Sequence, residues 1–189
     1  MFVTDAGGRI IAGSGGTFTR GTDASNMACV KDIVKEGLSE AKTYESKSGM
    51  IGYSMLAASA VKDERGNLLG SLVAGYDLSK QSFVDHMQNV YNIEISIIEG
   101  DVRVSSTIKD ANGRSWAGSK VTNQEVLQHV EINGDTYETE SILLGQRYLN
   151  IYFPLKTELG HITGMVSTFR NKGVIDRVIG KVIRISTLD

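Results

Sequence analysis

The stretch Val61 to Ser79, VKDERGNLLGSLVAGYDLS, returns in altered form as LKTELGHITGMVSTFRN from Leu155. A shift of 94 positions carries Val61 onto Leu155, Lys62 onto Lys156, Glu64 onto Glu158, Gly66 onto Gly160 and Gly70 onto Gly164. In Asp63-Glu-Arg-Gly66 the aspartate suits the first position of a type I turn and the glycine the left-handed residue that follows, which together close a hairpin. Both flanks alternate apolar and small residues, as half-buried antiparallel strands do. The same shift carries FVTDAGGRIIA onto SIIEGDVRVSS, with Val3 on Ile97, Asp5 on Glu99, Arg9 on Arg103 and Ile10 on Val104. Between these landmarks KDIVKEGLSEAKTYE faces VLQHVEINGDTYE, where Thr-Tyr at 43/44 returns at 136/137, one position out of register. Several landmarks in order at one offset predict two copies of one module, each long enough to bury a core.

Composition excludes more than it selects. Net charge is −2, and no basic run is interleaved with aromatics, so a nucleic-acid surface is not expected. Cys29 is the single cysteine, which rules out an internal disulfide. No segment approaches the roughly 20 apolar residues that cross a bilayer. The chain opens at Met1 directly inside a strand pattern, which reads as a piece of something longer.

Strands are expected over 2–12, 52–61 and 68–76. A Gly- and Ser-rich loop, AGSGGTFTRGT, follows the first and serves either as connector or as lid. Asp23 or Ser25 is the expected cap of a helix running to about Lys42, with Met27, Val30, Val34 and Leu38 on one face. Ser79 opens a bridging helix with Phe83, Val84, Met87, Val90 and Tyr91 at helical spacing. The second copy predicts strands over 93–99, 102–108, 116–119, 136–144, 147–154 and 162–170. Within it Thr122-Asn-Gln-Glu125 reads as a capping box before a short helix with Val126, Leu127 and Val130 inward. In the tail, Ile175, Val178, Val182 and Ile185 form a stripe that either packs on its own domain or makes a dimer stalk leading to a membrane.

No catalytic constellation is apparent. His86, His129 and His161 have no ligand-spaced Cys or carboxylate beside them, so no metal is expected. No nucleophile elbow, HExxH, CxxC or phosphate-binding glycine loop occurs. The expectation is binding without chemistry, with no cofactor.

The order strand, helix, strand, then the hairpin of ASAVKDERGNLLGSLVAGYDLS, resembles the Cache family of extracytoplasmic PAS-like sensor modules. The second copy is similar to the single-Cache type through VYNIEISIIEGDVRVSSTIKDANGRSWAGS, GDTYE and LLGQRYLNIYFPLKTELGHITGMV. The resemblance implies an α+β chain of two tandem PAS-like modules, each a central antiparallel sheet flanked by helices. It places a membrane-distal module at 1–82, a proximal one at 83–172 and a stalk helix at 173–189. The long helix with which members open does not precede the first copy. The Arg-x-Trp motif of the family's amino-acid-binding subset is missing from the first copy, while Arg114-Ser-Trp116 carries its letters in the second; Asp77 matches the subset's strand-closing aspartate.

A pocket on the sheet face beneath the loop and helix nominates Tyr53, Met55, Tyr76 and Asp77 in the first copy, with Ser54 facing away. Asp77 either accepts from a ligand ammonium or hydroxyl, or caps the following helix. In the second copy Arg103, Arg147 and Tyr148 are nominated, the guanidinium groups either gripping a carboxylate or standing solvated at strand edges. Trp116 is expected to pack in the core or at an interface. The distal set ranks first, because double sensors of the family bind there. The expected protein is therefore the periplasmic or extracellular ligand-sensing region of a transmembrane receptor, a methyl-accepting chemotaxis protein first. It would bind an amino acid, amine or organic carboxylate, form a homodimer through stalk helices, and meet the membrane through segments outside this chain. A sensor for a histidine kinase or cyclic-nucleotide enzyme is the alternative, and a ligand-free PAS-like adaptor the alternative of another class.

Overall fold

The computed structural model describes residues 1–14, 18–47 and 50–177. Of the tail stripe only Ile175 falls within them; Val178, Val182 and Ile185 lie outside the described residues, as does part of the Gly-rich loop. The chain divides into two compact units, Met1–Lys80 with Leu155–Thr163, and Gln81–Pro154 with the chain from Gly164 on. No helix among the described residues is long and apolar enough to cross a membrane.

In the first unit, β1 (Phe2–Asp5), β2 (Ile10–Gly13), β3 (Glu40–Lys47), β4 (Ile51–Lys62) and β5 (Leu68–Asp77) form one antiparallel sheet in the order β2-β1-β5-β4-β3. Helix α1 (Ala28–Val34) lies on one face. There Met27, Cys29, Val30 and Ile33 bury against Phe2, Leu56, Ala58 and Val73, and each large apolar side chain so removed from water stabilises by about 1.5–3 kcal/mol.

The expected helix to Lys42 is corrected here. It stops at Val34, because Gly37 adopts φ +75° and the Leu38 N–H turns back to the Asp32 carbonyl at 3.0 Å. From Glu40 the chain is a strand with Ala41 and Thr43 buried in alternation with exposed Lys42. Neither Asp23 nor Ser25 caps α1. The N-cap is Met27, and the first helical N–H, of Ala28, donates to Glu45 Oε1 at 2.8 Å.

In the second unit the order is β7-β6-β10-β9-β8, built from β6 (Glu94–Glu99), β7 (Val102–Ser106), β8 (Tyr137–Leu143), β9 (Gln146–Lys156) and β10 (Ile162–Asn171). Helix α2 (Gln81–Tyr91) packs on β6 and β7 with Val84 fully buried. Helix α3 (Gln124–Val126) widens into a π-helical segment, Leu127–Ile132, and Val126 and Val130 close the core with Ile98, Tyr152, Met165 and Phe169. The capping box is corrected: Asn123 is the cap, its Oδ1 accepting from Glu125 and Val126, while Glu125 accepts from the Tyr137 hydroxyl at 2.6 Å. The strand expected over 116–119 is absent; that segment is held by isolated bridges, Lys109 to Ser115 and Val102 to Lys120.

The repeat is visible in the register. Asp5 pairs Gly70 and Val3 pairs Leu72; at the 94-residue shift, Glu99 pairs Gly164 and Ile97 pairs Val166. The Thr-Tyr landmark is coincidental. Tyr44 pairs Met55, whereas Leu149, which is Met55 shifted by 94, pairs Glu140 and not Tyr137. One turn recurs beyond the two expected. In Asp5–Arg9, Asp63–Asn67 and Asp110–Arg114 the aspartate Oδ1 accepts from the N–H groups two and four residues on, and the fourth residue is a glycine at positive φ. Thr157–His161 repeats it with the Thr157 hydroxyl accepting from the His161 N–H.

Candidate functional site

Strand parity decides where each nominated side chain goes. Successive residues of β4 face opposite ways, and Leu56 and Ala58 belong to the core under α1. Met55 and Tyr76, which pair across β4 and β5, therefore lie on the other face, and Tyr76 is 66% exposed. The expectation that they sit beneath the helix is corrected: alternation sorts a strand into two sets without telling which set the helix covers. Tyr53 shares their parity yet is buried, its hydroxyl 3.0 Å from Thr163 Oγ1. On that face a shallow depression of about 470 Å³ is lined by Lys42, Ala57, Ser59, Leu72, Ala74 and Glu158, with Lys42 Nζ 3.6 Å from Glu158.

Asp77 pairs with Ser54 and so faces the α1 side. Its Oδ1 accepts from the Ser79 N–H at 3.1 Å and from the Ser79 hydroxyl at 2.5 Å, which ties the end of β5 to the turn before α2.

The second unit concentrates polar groups in its interior. Arg103 is only 6% exposed. Its partner across the sheet, Ile98, is a core residue, so the guanidinium is carried to the α3 side. There it lies over the Trp116 ring at 5.1 Å, donates from Nη1 to the Lys120 carbonyl at 2.9 Å and to Ser119 Oγ at 3.2 Å, and hydrogen-bonds Tyr152. Burial pulls its pKa below the ordinary guanidinium value and pushes the Tyr152 phenol up. All these partners are neutral, no ion pair to Arg103 is found among the described residues, and Nε finds no acceptor.

Beside it Ser106 pairs with Ser96, their hydroxyls 2.7 Å apart, and Ser96 pairs with Ser167, whose buried Oγ has no partner among the described residues. At the 94-residue shift Ser96 and Ser167 stand where the first unit has Phe2 and Val73, themselves a buried pair. A phenyl ring and an isopropyl group are thus replaced by two hydroxymethyl groups. Trp116, Phe169 and Tyr152 meet edge to face at 6.4 and 6.1 Å and supply the apolar wall. Asn150, fully buried on β9, accepts from Ser141 at 3.3 Å. Apolar walls with a few convergent polar groups are the makings of a small-molecule site.

Of the second nominated set, only Arg103 and Tyr148 share this side. Tyr148 packs against the core cluster, while Arg147 lies on the opposite face, exposed and paired with Glu140 at 2.7 Å. Ser96, Ser106, Ser167 and Asn150 were not nominated. The signal for the serines is in the sequence all the same: laying one copy on the other exposes the exchange of Phe and Val for Ser.

No curated protein matches the chain. Among solved structures, the extracellular ligand binding receptor from Desulfohalobium retbaense superposes with a TM-score of 0.54 at 15% identity, covering 88% of this chain and 29% of that one. The chain thus spans under a third of that receptor's length. The extracellular domain of the putative histidine kinase rpHK1S-Z16 gives 0.51 at 11% identity, covering 92% of this chain and 70% of that one. The ligand-binding domain of the Pseudomonas fluorescens chemoreceptor CtaA, solved with L-isoleucine, gives 0.50 at 13% identity, covering 94% and 70%. At these identities the likeness is one of fold. The sequence profile described as single cache domain 3 matches residues 76–182, more than half of the 189, and with the two like-ordered antiparallel sheets this establishes that the chain belongs to the single Cache domain 3 family.

Proposed function

We propose that the chain is the extracytoplasmic sensing region of a transmembrane receptor of the chemoreceptor type. In this reading its two units are tandem Cache modules, the C-terminal helix leads toward the membrane, and the second unit binds a small organic carboxylate. The observation that carries it is the interior cation of that unit: Arg103 is buried, meets only neutral partners among the described residues, and keeps Nε without an acceptor, on the sheet face that also holds the unpartnered Ser167 hydroxyl. A buried charge without a counter-charge is costly, and a guanidinium matches a carboxylate in a planar two-bond fit. The ligand would supply the missing anion, with the serine hydroxyls receiving its polar part and Trp116 and Phe169 its apolar part. Such a site recognises and does not transform. It signals only by the difference between the ligand's affinities for two states of the receptor.

A thermal-shift panel of monocarboxylates, dicarboxylates, amino acids and amines tests this. At a concentration 100-fold above Kd, binding adds about 2.7 kcal/mol, which raises the melting temperature by about 5–10 °C for a chain of this size. Arg103→Met is expected to remove the shift and Arg147→Ala to leave it intact. Carboxylate shifts that survive Arg103→Met, or amine-only shifts abolished by Asp77→Ala, would overturn the assignment and return the site to the first unit.

A further inference from the structure

The β8–β9 turn carries an apolar residue where its geometry does not favour one. Leu144 and Gly145 both hold positive φ, +50° and +75°, the combination of a two-residue turn in which Asn-Gly is preferred. A leucine in the left-handed region is strained. Yet Leu144 is 64% exposed, and Ile142 on the same hairpin is 76% exposed. Neither folding nor solubility selects this pair.

Its surroundings say what does. Asn171, at the end of β10, donates from its side-chain amide to Gln146 Oε1 at the hairpin, and Lys172 pairs with Glu140. The tip therefore stands at the end of the sheet where β10 runs out into the helical residues 172–177. Cations dominate there. Glu140 is shared between Arg147 and Lys172, and the run 170–177 carries Arg170, Lys172 and Arg177 against one acid, Asp176.

We infer that the Ile142–Leu144 tip seats in the interface of an anionic lipid bilayer, its two apolar side chains entering the headgroup layer and Arg147, Lys172 and Arg170 meeting lipid phosphates. This rests on the reading of the chain as membrane-anchored past β10. An apolar tip ringed by basic groups is the pattern that binds such surfaces.

The test holds the full chain by a C-terminal histidine tag on vesicles bearing nickel-chelating lipid. An environment-sensitive fluorophore is placed at Ile142→Cys, Leu144→Cys or, as control, Arg65→Cys in the β4–β5 turn; native Cys29 is buried. The emission at 142 and 144 should move to the blue and be quenched by brominated lipid, more so with phosphatidylglycerol than with phosphatidylcholine alone, while 65 stays water-like. Leu144→Asn, which suits the turn, should keep or raise the melting temperature and weaken the effect seen at 142. Water-like emission at both tip positions overturns the inference. So does a blue shift that appears without vesicles and grows with protein concentration, because the partner would then be a second copy. Carboxylate titration without lipid reads the sensing function separately: lost carboxylate binding with an embedded tip would sink that reading and leave the lipid contact.

Discussion

Gly70→Ala should unfold the first unit at a far lower urea concentration than the chemistry of one methyl group suggests. Gly70 pairs with Asp5 at the junction of β5 and β1. A Cβ there would lie 1.9 Å from the Thr4 carbonyl oxygen and 2.8 Å from its carbon, atoms of backbone that cannot rotate aside. Relief requires the two strands to part by more than about an ångström, given contact distances of about 3.5 Å between non-bonded heavy atoms. Overpacking of this kind costs about 1–3 kcal/mol, and one or two weakened ladder hydrogen bonds add about 1 kcal/mol each. The sum, roughly 2–5 kcal/mol, is a large part of the 5–15 kcal/mol of a typical domain. At a urea slope of about 2 kcal/mol/M the midpoint falls by about 1–2.5 M. Gly66→Ala is the control. Gly66 sits at φ +84° with nothing within 4 Å of the added atom, so only the left-handed penalty of about 1–2 kcal/mol applies. Far-UV circular dichroism across a urea series measures both. A Gly70→Ala midpoint no lower than that of Gly66→Ala would refute the steric argument.

The remaining expectations are shorter. Asp63 and Asp110 are held below the ordinary carboxyl value of 3.8, the first chiefly by the Asn67 side chain and the second by the Arg114 N–H. A depressed folded pKa contributes stability that is present above 3.8 and lost as pH falls below it; melting curves should decline in that acid range, and less steeply in Asp63→Asn with Asp110→Asn, a flat profile counting against the turns. The Cys29 thiol is pushed up to about 12 by burial, so a thiol reagent at pH near 8 should label it only in denaturant, and rapid labelling of the folded chain would contradict its placement. Trp116 is the single tryptophan and lies under Arg103; carboxylate binding should shift its emission, and an unchanged spectrum at saturation would move the ligand elsewhere.

Much of this architecture was readable from residues. The hairpin glycines and the 94-residue shift specified like-ordered halves, because a turn closed by Asp and a left-handed Gly leaves the flanking strands no freedom of register. The segment over 35–47 misled because Lys, Glu, Leu and Ala favour helix locally, while the sheet rewards the two-residue alternation of Ala41 and Thr43. Met55 and Tyr76 were placed on the wrong face since alternation carries no label for inside. Arg103 was nominated as a gripping group beside Arg147, and strand parity divides them between faces. The exchange of Phe2 for Ser96 and of Val73 for Ser167 is present in the 94-residue alignment, but a buried serine carries no local signal that separates it from the solvent-facing serines of a strand.

That exchange of Phe2 and Val73 for Ser96 and Ser167 has a consequence for how such a chain can change. One half closes its interior with an aromatic and a branched side chain, and the other holds two small polar ones at the same places. Two substitutions, Ser96→Phe with Ser167→Val, would give the second half the same apolar pair that closes the first, while the reverse pair in the first half would set two hydroxyl groups where Phe2 and Val73 now fill the core.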